Sequence, residues 1–353
     1  MISRIYDPNY ASACFFRSSV CPPKMKVMLQ ITEKCNLGCA HCFAEANSIG
    51  KEMPLQLIKD ILLPQFIKNQ VVKVTLTGGE PLMHSHIKEI TALLLDNEIG
   101  VSICTNGTLI DTSWVKSLAG IDNVHFNVSL DGMTVQSHGK FRGIKSEEVI
   151  SSIKMNIIEL GKIGLLNGIL TTPNKFATIN EYVELCCFAK DAGANYVLMN
   201  PLSPFGRGTK TQALAYSADE MIALKKATSG LISEKFEIVY IRFPNSEHRS
   251  IGKCPLGLIP YIFCDGDITA CPYMVFAADG SDLYQTSDFI VGNVFNGSDI
   301  AEEVKKYVTN HITFNDEKND NCEECSRGCY AIKISNNQPL CGCDLNMCPL
   351  QGE

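Results

Sequence analysis
Between residues 26 and 242 the apolar positions repeat in a regular rhythm. Short β-branched or alternating runs read as strands at 26–32, 71–76, 100–105, 123–130, 165–171, 196–200 and 236–242. Between them, apolar residues at three- and four-residue spacing predict helices at 55–69, 86–97, 111–118, 146–160, 180–192 and 217–234. Asp111 or Thr112 is a natural N-cap for the third of these. Strands that alternate with helices imply parallel βαβ units. About six such units are too few for the closed eight-unit barrel. The expected fold class is therefore α/β, a partial (β/α)6 TIM-like barrel. In barrels of this kind the loops after the strands build the active face. Loops 35–42, 77–81, 105–107 and 129–132 all follow strands and should meet at one rim.

On either side of this region the pattern is different. Residues 1–24 have little periodicity and read as an irregular lead-in carrying Cys14 and Cys21, two incidental thiols. From about Phe243 the rhythm stops, Gly, Pro, Asn and Asp become dense, and cysteines crowd in. A boundary near 243–253 is expected, giving a 1–24 lead-in, a 25–243 barrel and a small irregular cysteine-rich domain at 250–353.

Composition adds two exclusions. A net charge of −7 without a basic tail gives no electrostatic footprint for nucleic acid. The N-terminus lacks the layout of a secretory signal, and no apolar run reaches membrane-spanning length, so a cytoplasmic protein is expected. Cysteine changes the picture more. Seventeen is an odd and high count, and in a reducing compartment it argues for metal ligation over disulfides.

Three of these thiols stand close together. Cys35, Cys39 and Cys42 have C-x3-C-x2-C spacing in ITEKCNLGCAHCF, just after the first strand. Thiolates favour zinc or iron–sulfur clusters over hard cations, and four thiolates normally complete either site. Three leave one metal position open for chemistry. A zinc site or a redox dithiol is the alternative reading of this spacing taken alone.

With His41 before the last cysteine, this motif resembles that of the radical S-adenosylmethionine (SAM) enzymes, and the ordered loops Gly78-Gly79-Glu80-Pro81, Thr105-Asn106-Gly107 and Ser129-Leu130-Asp131-Gly132 resemble theirs too. The resemblance implies that Cys35, Cys39 and Cys42 hold a [4Fe-4S] cluster whose open iron takes the amino and carboxylate groups of SAM. One electron would then cleave the sulfonium to a 5′-deoxyadenosyl radical that abstracts hydrogen from substrate. It implies that Gly78, Gly79, Glu80 and Pro81 contact the methionine ammonium, and that Ser129 and Asp131 reach the ribose or carboxylate. Arg142 would offer a bidentate fork to the carboxylate. Thr105 and Asn106 would form cofactor wall, and Leu198 an apolar contact for adenine. Read singly, Gly78-Gly79 is a plain turn, Asp131-Gly132 a turn signal and Arg142 a surface charge; their order along the chain carries the resemblance.

Nine of the cysteines lie in the last hundred residues. Cys254-x11-Gly266-x4-Cys271 resembles the opening of a SPASM domain, which typically carries two auxiliary [4Fe-4S] clusters. Cys322-x2-Cys325 fits its second half, but Cys329 follows after three residues instead of five, and Cys341, Cys343 and Cys348 form an unusual ending. The implied first cluster uses Cys254, Cys264 or Cys271, and Cys329. The second uses Cys322, Cys325 and two of the last three. A zinc ribbon on Cys322-x2-Cys325 is the alternative. Milder readings cover the rest: Cys104 as core, at least one of Cys186 and Cys187 facing inward, His84, His86 and His138 as structural, and Trp114 as packing.

Enzymes of this family with SPASM extensions mostly modify peptides, so the resemblance implies maturation of a ribosomally made precursor peptide by crosslinking, epimerisation or side-chain oxidation. Only about two dozen residues precede the first strand, so a leader-gripping winged helix is expected to be absent and a separate leader-binding partner to substitute. An external flavodoxin- or ferredoxin-type electron donor is implied as well. Asp265 or Asp267, beside Cys264, is the candidate for any later deprotonation. Two alternatives remain: a radical enzyme acting on a tetrapyrrole or sugar, and a non-enzymatic iron–sulfur carrier or sensor.

Overall fold
The computed structural model describes residues 23–243, 256–311, 329–338 and 340. Cys14, Cys21, Cys254, Cys322, Cys325, Cys341, Cys343 and Cys348 lie outside them. All seven expected strands are present: β1 (Met25–Thr32), β2 (Val71–Gly78), β3 (Gly100–Thr105), β4 (Val124–Ser129), β5 (Leu166–Thr171), β6 (Tyr196–Met199) and β7 (Glu237–Tyr240). They are parallel and hydrogen-bonded in chain order. Helices Ile87–Asp96, Thr112–Ser117, Glu147–Lys162, Ile179–Asp191 and Ala218–Ser229 connect β2 through β7. The helix between β1 and β2 departs from regular form. A π turn at Ile58–Leu62 precedes Leu63–Lys68, whose Pro64 has no N–H to return to the preceding turn.

Alternation within the strands separates two environments. Val27, Leu29 and Ile31 of β1, Val74 and Leu76 of β2, Val101 and Ile103 of β3, and Val124, Phe126 and Val128 of β4 are fully buried in the main core. Each such side chain contributes about 1.5–3 kcal/mol of transfer free energy. The alternate residues are largely polar. Lys73, Thr75 and Thr77 of β2 face the same way, as do Ser102 and Cys104 of β3, and His125, Asn127 and Ser129 of β4. Asn127 sits at the centre of this inner layer, donating to Ser102 Oγ at 2.8 Å and accepting from Tyr196 Oη at 2.7 Å and Asn167 Nδ2 at 3.0 Å. A parallel sheet covered on both faces usually reads as continuous apolar runs. Here the runs alternate because the concave face is polar.

Beyond residue 256 the chain extends the same sheet. β8 (Tyr261–Ile262) pairs in parallel with β1, and β9 (Asp267–Thr269) and β10 (Gly292–Asn293) follow antiparallel at that edge. Helices Pro272–Ala278 and Tyr330–Ser335 pack on each other, with Tyr273, Met274, Ala277, Tyr330, Ala331 and Ile334 in a second apolar cluster. The cysteine-rich region thus combines a small core of its own with a shared sheet. Among the described residues no helix is long and apolar enough to cross a membrane.

Several single-residue expectations can be compared directly. Cys186 is fully buried and Cys187 half-buried. Trp114 packs edge-on against Phe126 at 6.0 Å between ring centroids. His84 is buried with Nε2 2.9 Å from the Met53 carbonyl oxygen.

Candidate active site
The four loops do meet at one rim, and the physical links between them are specific. The cysteine loop is closed at its base. Thr32 Oγ1 donates to the Lys51 carbonyl at 3.1 Å, Cys35 N–H to the Asn47 carbonyl at 2.6 Å, and Glu33 N–H to the Lys51 carbonyl at 2.9 Å. The loop after β2 passes directly beneath it, with Gly79 N–H on the Thr32 carbonyl at 2.9 Å and Glu80 N–H on the Lys34 carbonyl at 2.7 Å. A Cβ at Gly78 would lie 2.2 Å from Thr32 O, and one at Gly79 2.3 Å from Lys34 O. Only glycine fits this crossing.

Glu80 then joins the next loop. Its carboxylate accepts from Thr105 Oγ1 at 2.6 Å, Asn106 N–H at 2.7 Å and Leu82 N–H at 3.1 Å. Asn106 Nδ2 in turn donates to Asn36 Oδ1 at 2.9 Å, back in the cysteine loop. Glu80 is therefore a buried joint between loops, with both of its oxygens engaged by the chain. Burial pushes its carboxyl up to about 6, against the hydrogen bonds from Asn106, Thr105 and Leu82. A raised folded pKa means that its contribution is complete below the ordinary value of 4.5 and is lost as pH rises through about 6. In urea titrations of the metal-free chain, wild-type stability minus that of Glu80→Gln should fall by about 2 kcal/mol across this window. A flat difference would show that the carboxyl is not the group titrating.

The loop after β4 is organised around Asp131, which is fully buried. Its Oδ2 accepts from Arg142 Nε at 2.5 Å and its Oδ1 from Thr172 N–H at 2.7 Å, while its own N–H donates to His138 Nδ1 at 2.9 Å. Burial alone would raise the Asp131 carboxyl, but Arg142 and the Thr172 N–H hold it below the ordinary range. Arg142 Nη1 lies 3.9 Å from Cys39 Sγ. His41 stacks on Phe141 with 4.1 Å between centroids and 7° between planes, and burial lowers its pKa to about 3, so the ring is neutral.

One cavity of about 260 Å³ collects these groups. Its lining includes Cys35, Cys39, Cys42, Gly78, Gly79, Glu80, Thr105, Asn106, Ser129 and Arg142. Cys271 and Cys329 lie on the same lining, together with Tyr261 and Tyr273. Residues missed in the sequence are Leu170, Cys104 and Arg207, all on the lining; the first two stand at inward strand positions, whereas Arg207 carried no local signal.

Other expectations need correction. Pro81 is buried behind the Glu80 turn, off the lining. Asp131 is not on the lining of this cavity and instead positions Arg142. Leu198 is buried on β6 beside Leu170, the residue that faces the cavity. Cys264 lies in the main core, its N–H on Gln30 Oε1 at 3.1 Å and its sulfur 3.8 Å from the Ile31 carbonyl oxygen. Asp265 sits in the turn between β8 and β9, and Asp267 opens β9. Asp265 Oδ1 accepts the Asp267 N–H at 3.2 Å, and Asp267 Oδ1 accepts from Asn293 Nδ2 at 2.8 Å. Neither aspartate is on the lining of this cavity.

The donor set suits a soft, cationic group. Burial raises the Cys35 thiol and pushes Cys39 up to about 11, with the neighbouring thiols adding to both shifts. Buried thiols so close together lose their protons readily only to a metal. Among the described residues no three His, Cys, Asp or Glu side chains converge on a single ion; the three sulfurs line a chamber instead. Cys35, Cys39 and Cys42 could hold a polynuclear cluster there, and Arg142 with Gly78 and Gly79 could cradle a small zwitterion beside it.

Residues 29–186 match the family model described as the Radical SAM superfamily. The chain carries a radical SAM domain. The cofactors of this family are SAM and a [4Fe-4S] cluster. The chain is 28% identical over 329 residues to the mycofactocin maturase MftC of Mycobacterium tuberculosis, covering 89% of this chain and 80% of that protein. It is 36% identical over 123 residues to the Fe-coproporphyrin III synthase of Methanosarcina barkeri, covering 35% of this chain and 31% of that one. In fold it is similar to Streptococcus suis SuiB bound to its precursor peptide SuiA, with a TM-score of 0.69, 19% identity, and coverage of 90% of this chain and 74% of SuiB.

Proposed function
We propose that this radical SAM enzyme modifies a ribosomally made peptide. The observation that carries the reading is that the similarity to MftC spans 89% of the chain. It therefore runs through the cysteine-bearing C-terminal part as well as the barrel. The tetrapyrrole-making relatives match 35% and 55% of the chain. The bound precursor in SuiB is consistent with a peptide entering a cavity of this fold.

In this reading Cys35, Cys39 and Cys42 ligate the cluster. When bound, cluster and SAM supply one electron and a 5′-deoxyadenosyl radical that takes a hydrogen atom from substrate. The chain's own residues do the holding. Arg142, fixed by Asp131, presents its remaining guanidinium edge to the methionine carboxylate. Gly78 and Gly79 let the backbone approach the ammonium, while Glu80 locks their loop to Thr105 and Asn106. Ser129 and Leu170 bound the adenosyl side. The apolar lining keeps water from the radical. Residues 25–243 carry this chemistry, and 250–353 form a SPASM-type region with auxiliary clusters, for which Cys271 and Cys329 are the described candidates on the cavity wall. A flavodoxin- or ferredoxin-type donor supplies electrons.

The experiment is anaerobic reconstitution followed by turnover with dithionite, SAM and the short peptides encoded beside the gene. A stoichiometric mass change in one peptide supports the reading. Modification of a porphyrin or sugar with every peptide untouched would overturn it. Deuterium at a substrate α-carbon after reaction in deuterated water would identify epimerisation by an exchangeable thiol.

A further inference from the structure
One segment after β6, the short 3-10 stretch Gly206–Leu214, grips the cysteine loop at four carbonyls. Arg207 N–H donates to Cys42 O at 3.0 Å, Arg207 Nε to Cys39 O at 2.8 Å, and Arg207 Nη1 to Ala46 O at 2.9 Å. Thr211 Oγ1 donates to Ala40 O at 3.1 Å. Gly206 has φ +56°, and a Cβ there would lie 2.4 Å from Phe43 O. Within the loop itself the backbone bonds are long, 3.3 Å from Cys42 N to Cys39 O and 3.4 Å from Glu45 N to Cys42 O. Its irregular backbone is held from outside. The opposite side is fixed by Ala40 N–H on the Phe141 carbonyl at 2.9 Å.

We propose that Arg207 is a positioning residue that clamps the loop bearing Cys39 and Cys42 so that the three thiols keep cluster-binding geometry. Its planar fork serves two carbonyls of different residues at once, which a lysine ammonium on a flexible stem does not reproduce. Without it, buried carbonyls lose their donors and the loop opens more often. The inference rests on the radical SAM reading of the three cysteines, but the clamp itself is visible without metal.

The test compares wild type with Arg207→Met, Arg207→Lys and Thr211→Val. In the metal-free chains, amide hydrogen exchange across residues 39–46 should be roughly tenfold or more faster in Arg207→Met, with exchange in β2–β5 unchanged. In reconstituted chains a ferrous chelator should strip iron faster by a similar factor. SAM should shift the electron paramagnetic resonance signal of the reduced cluster less than in wild type, with partial recovery in Arg207→Lys. Wild-type exchange and wild-type cluster signal in Arg207→Met would overturn the proposal. If Arg207→Met does not fold, Thr211→Val, which removes one donor, carries the test, and unaltered exchange at 39–46 would overturn it. A wild-type chain that takes up no iron yet shows the exchange difference would sink the radical SAM reading and leave the clamp standing.

Discussion

Replacing Asp131 with asparagine should destabilise the metal-free protein by about 3–5 kcal/mol, because the Arg142 charge is then buried without a counter-ion. Asp131 is fully buried and its ion pair with Arg142 is 2.5 Å long. An asparagine can still accept the Thr172 N–H through Oδ1, but it turns an N–H toward Arg142 Nε. The loss should show in the urea midpoint. Removing both charges, in Asp131→Leu with Arg142→Met, should recover much of it, since the cost lies in the orphaned charge more than in the absent pair. The carboxyl is held below its unfolded value of about 3.9. Its contribution is therefore complete above about pH 4 and is lost as pH falls through the depressed folded value. The double variant should lack this acid sensitivity. The two classes of variant also separate stability from binding: both should fail to bind SAM tightly, though only the first should be strongly destabilised. A single variant as stable as wild type would mean that Arg142 finds solvent or another partner.

What the sequence made legible was local. Glycine pairs, clustered cysteines and strand periodicity are set by a few adjacent residues, so the barrel and the order of its loops followed from pattern. The crossing at Gly78 and Gly79 is an example, since the need for glycine is enforced by backbone from Thr32 and Lys34. What was hidden depends on residues distant in sequence. Asp131 reads as a ligand from its motif, yet Arg142 and Thr172 occupy both of its oxygens. Glu80 likewise reads as a contact for the methionine ammonium, and its motif does not show that three donors of the chain itself bind its carboxylate. Leu170 and Leu198 are neighbours in register, and nothing in either strand says which one meets the cavity. Asp265 and Asp267 stand beside Cys264 in sequence, which is what makes them candidates. A two-strand turn places all three away from the chamber, while Cys271, one strand later, reaches it. Arg207 has no motif at all; its role comes from carbonyls more than a hundred and fifty residues earlier.

The second large effect concerns the cysteine loop. Cys35, Cys39 and Cys42 line the chamber with Arg142 and the glycine crossing. Replacing all three by alanine should abolish SAM cleavage altogether, since these are the thiols proposed to hold the cluster whose open iron takes SAM. Alanine is smaller than cysteine and its effect on packing is modest, because the loop is held by bonds that need no cysteine side chain: Thr32 Oγ1 and the Glu33 and Cys35 N–H groups donate to the Lys51 and Asn47 carbonyls, and Arg207 donates to the Cys39 and Cys42 carbonyls. Iron bound by the C-terminal cysteines should remain.

The deciding measurement is 5′-deoxyadenosine, quantified after anaerobic reconstitution and dithionite reduction with SAM, in wild type and in the triple alanine variant, with iron counted in both. The account predicts product in the wild type and none in the variant, which keeps part of its iron. Product at wild-type levels from the variant, or none from a fully reconstituted wild type, would contradict it.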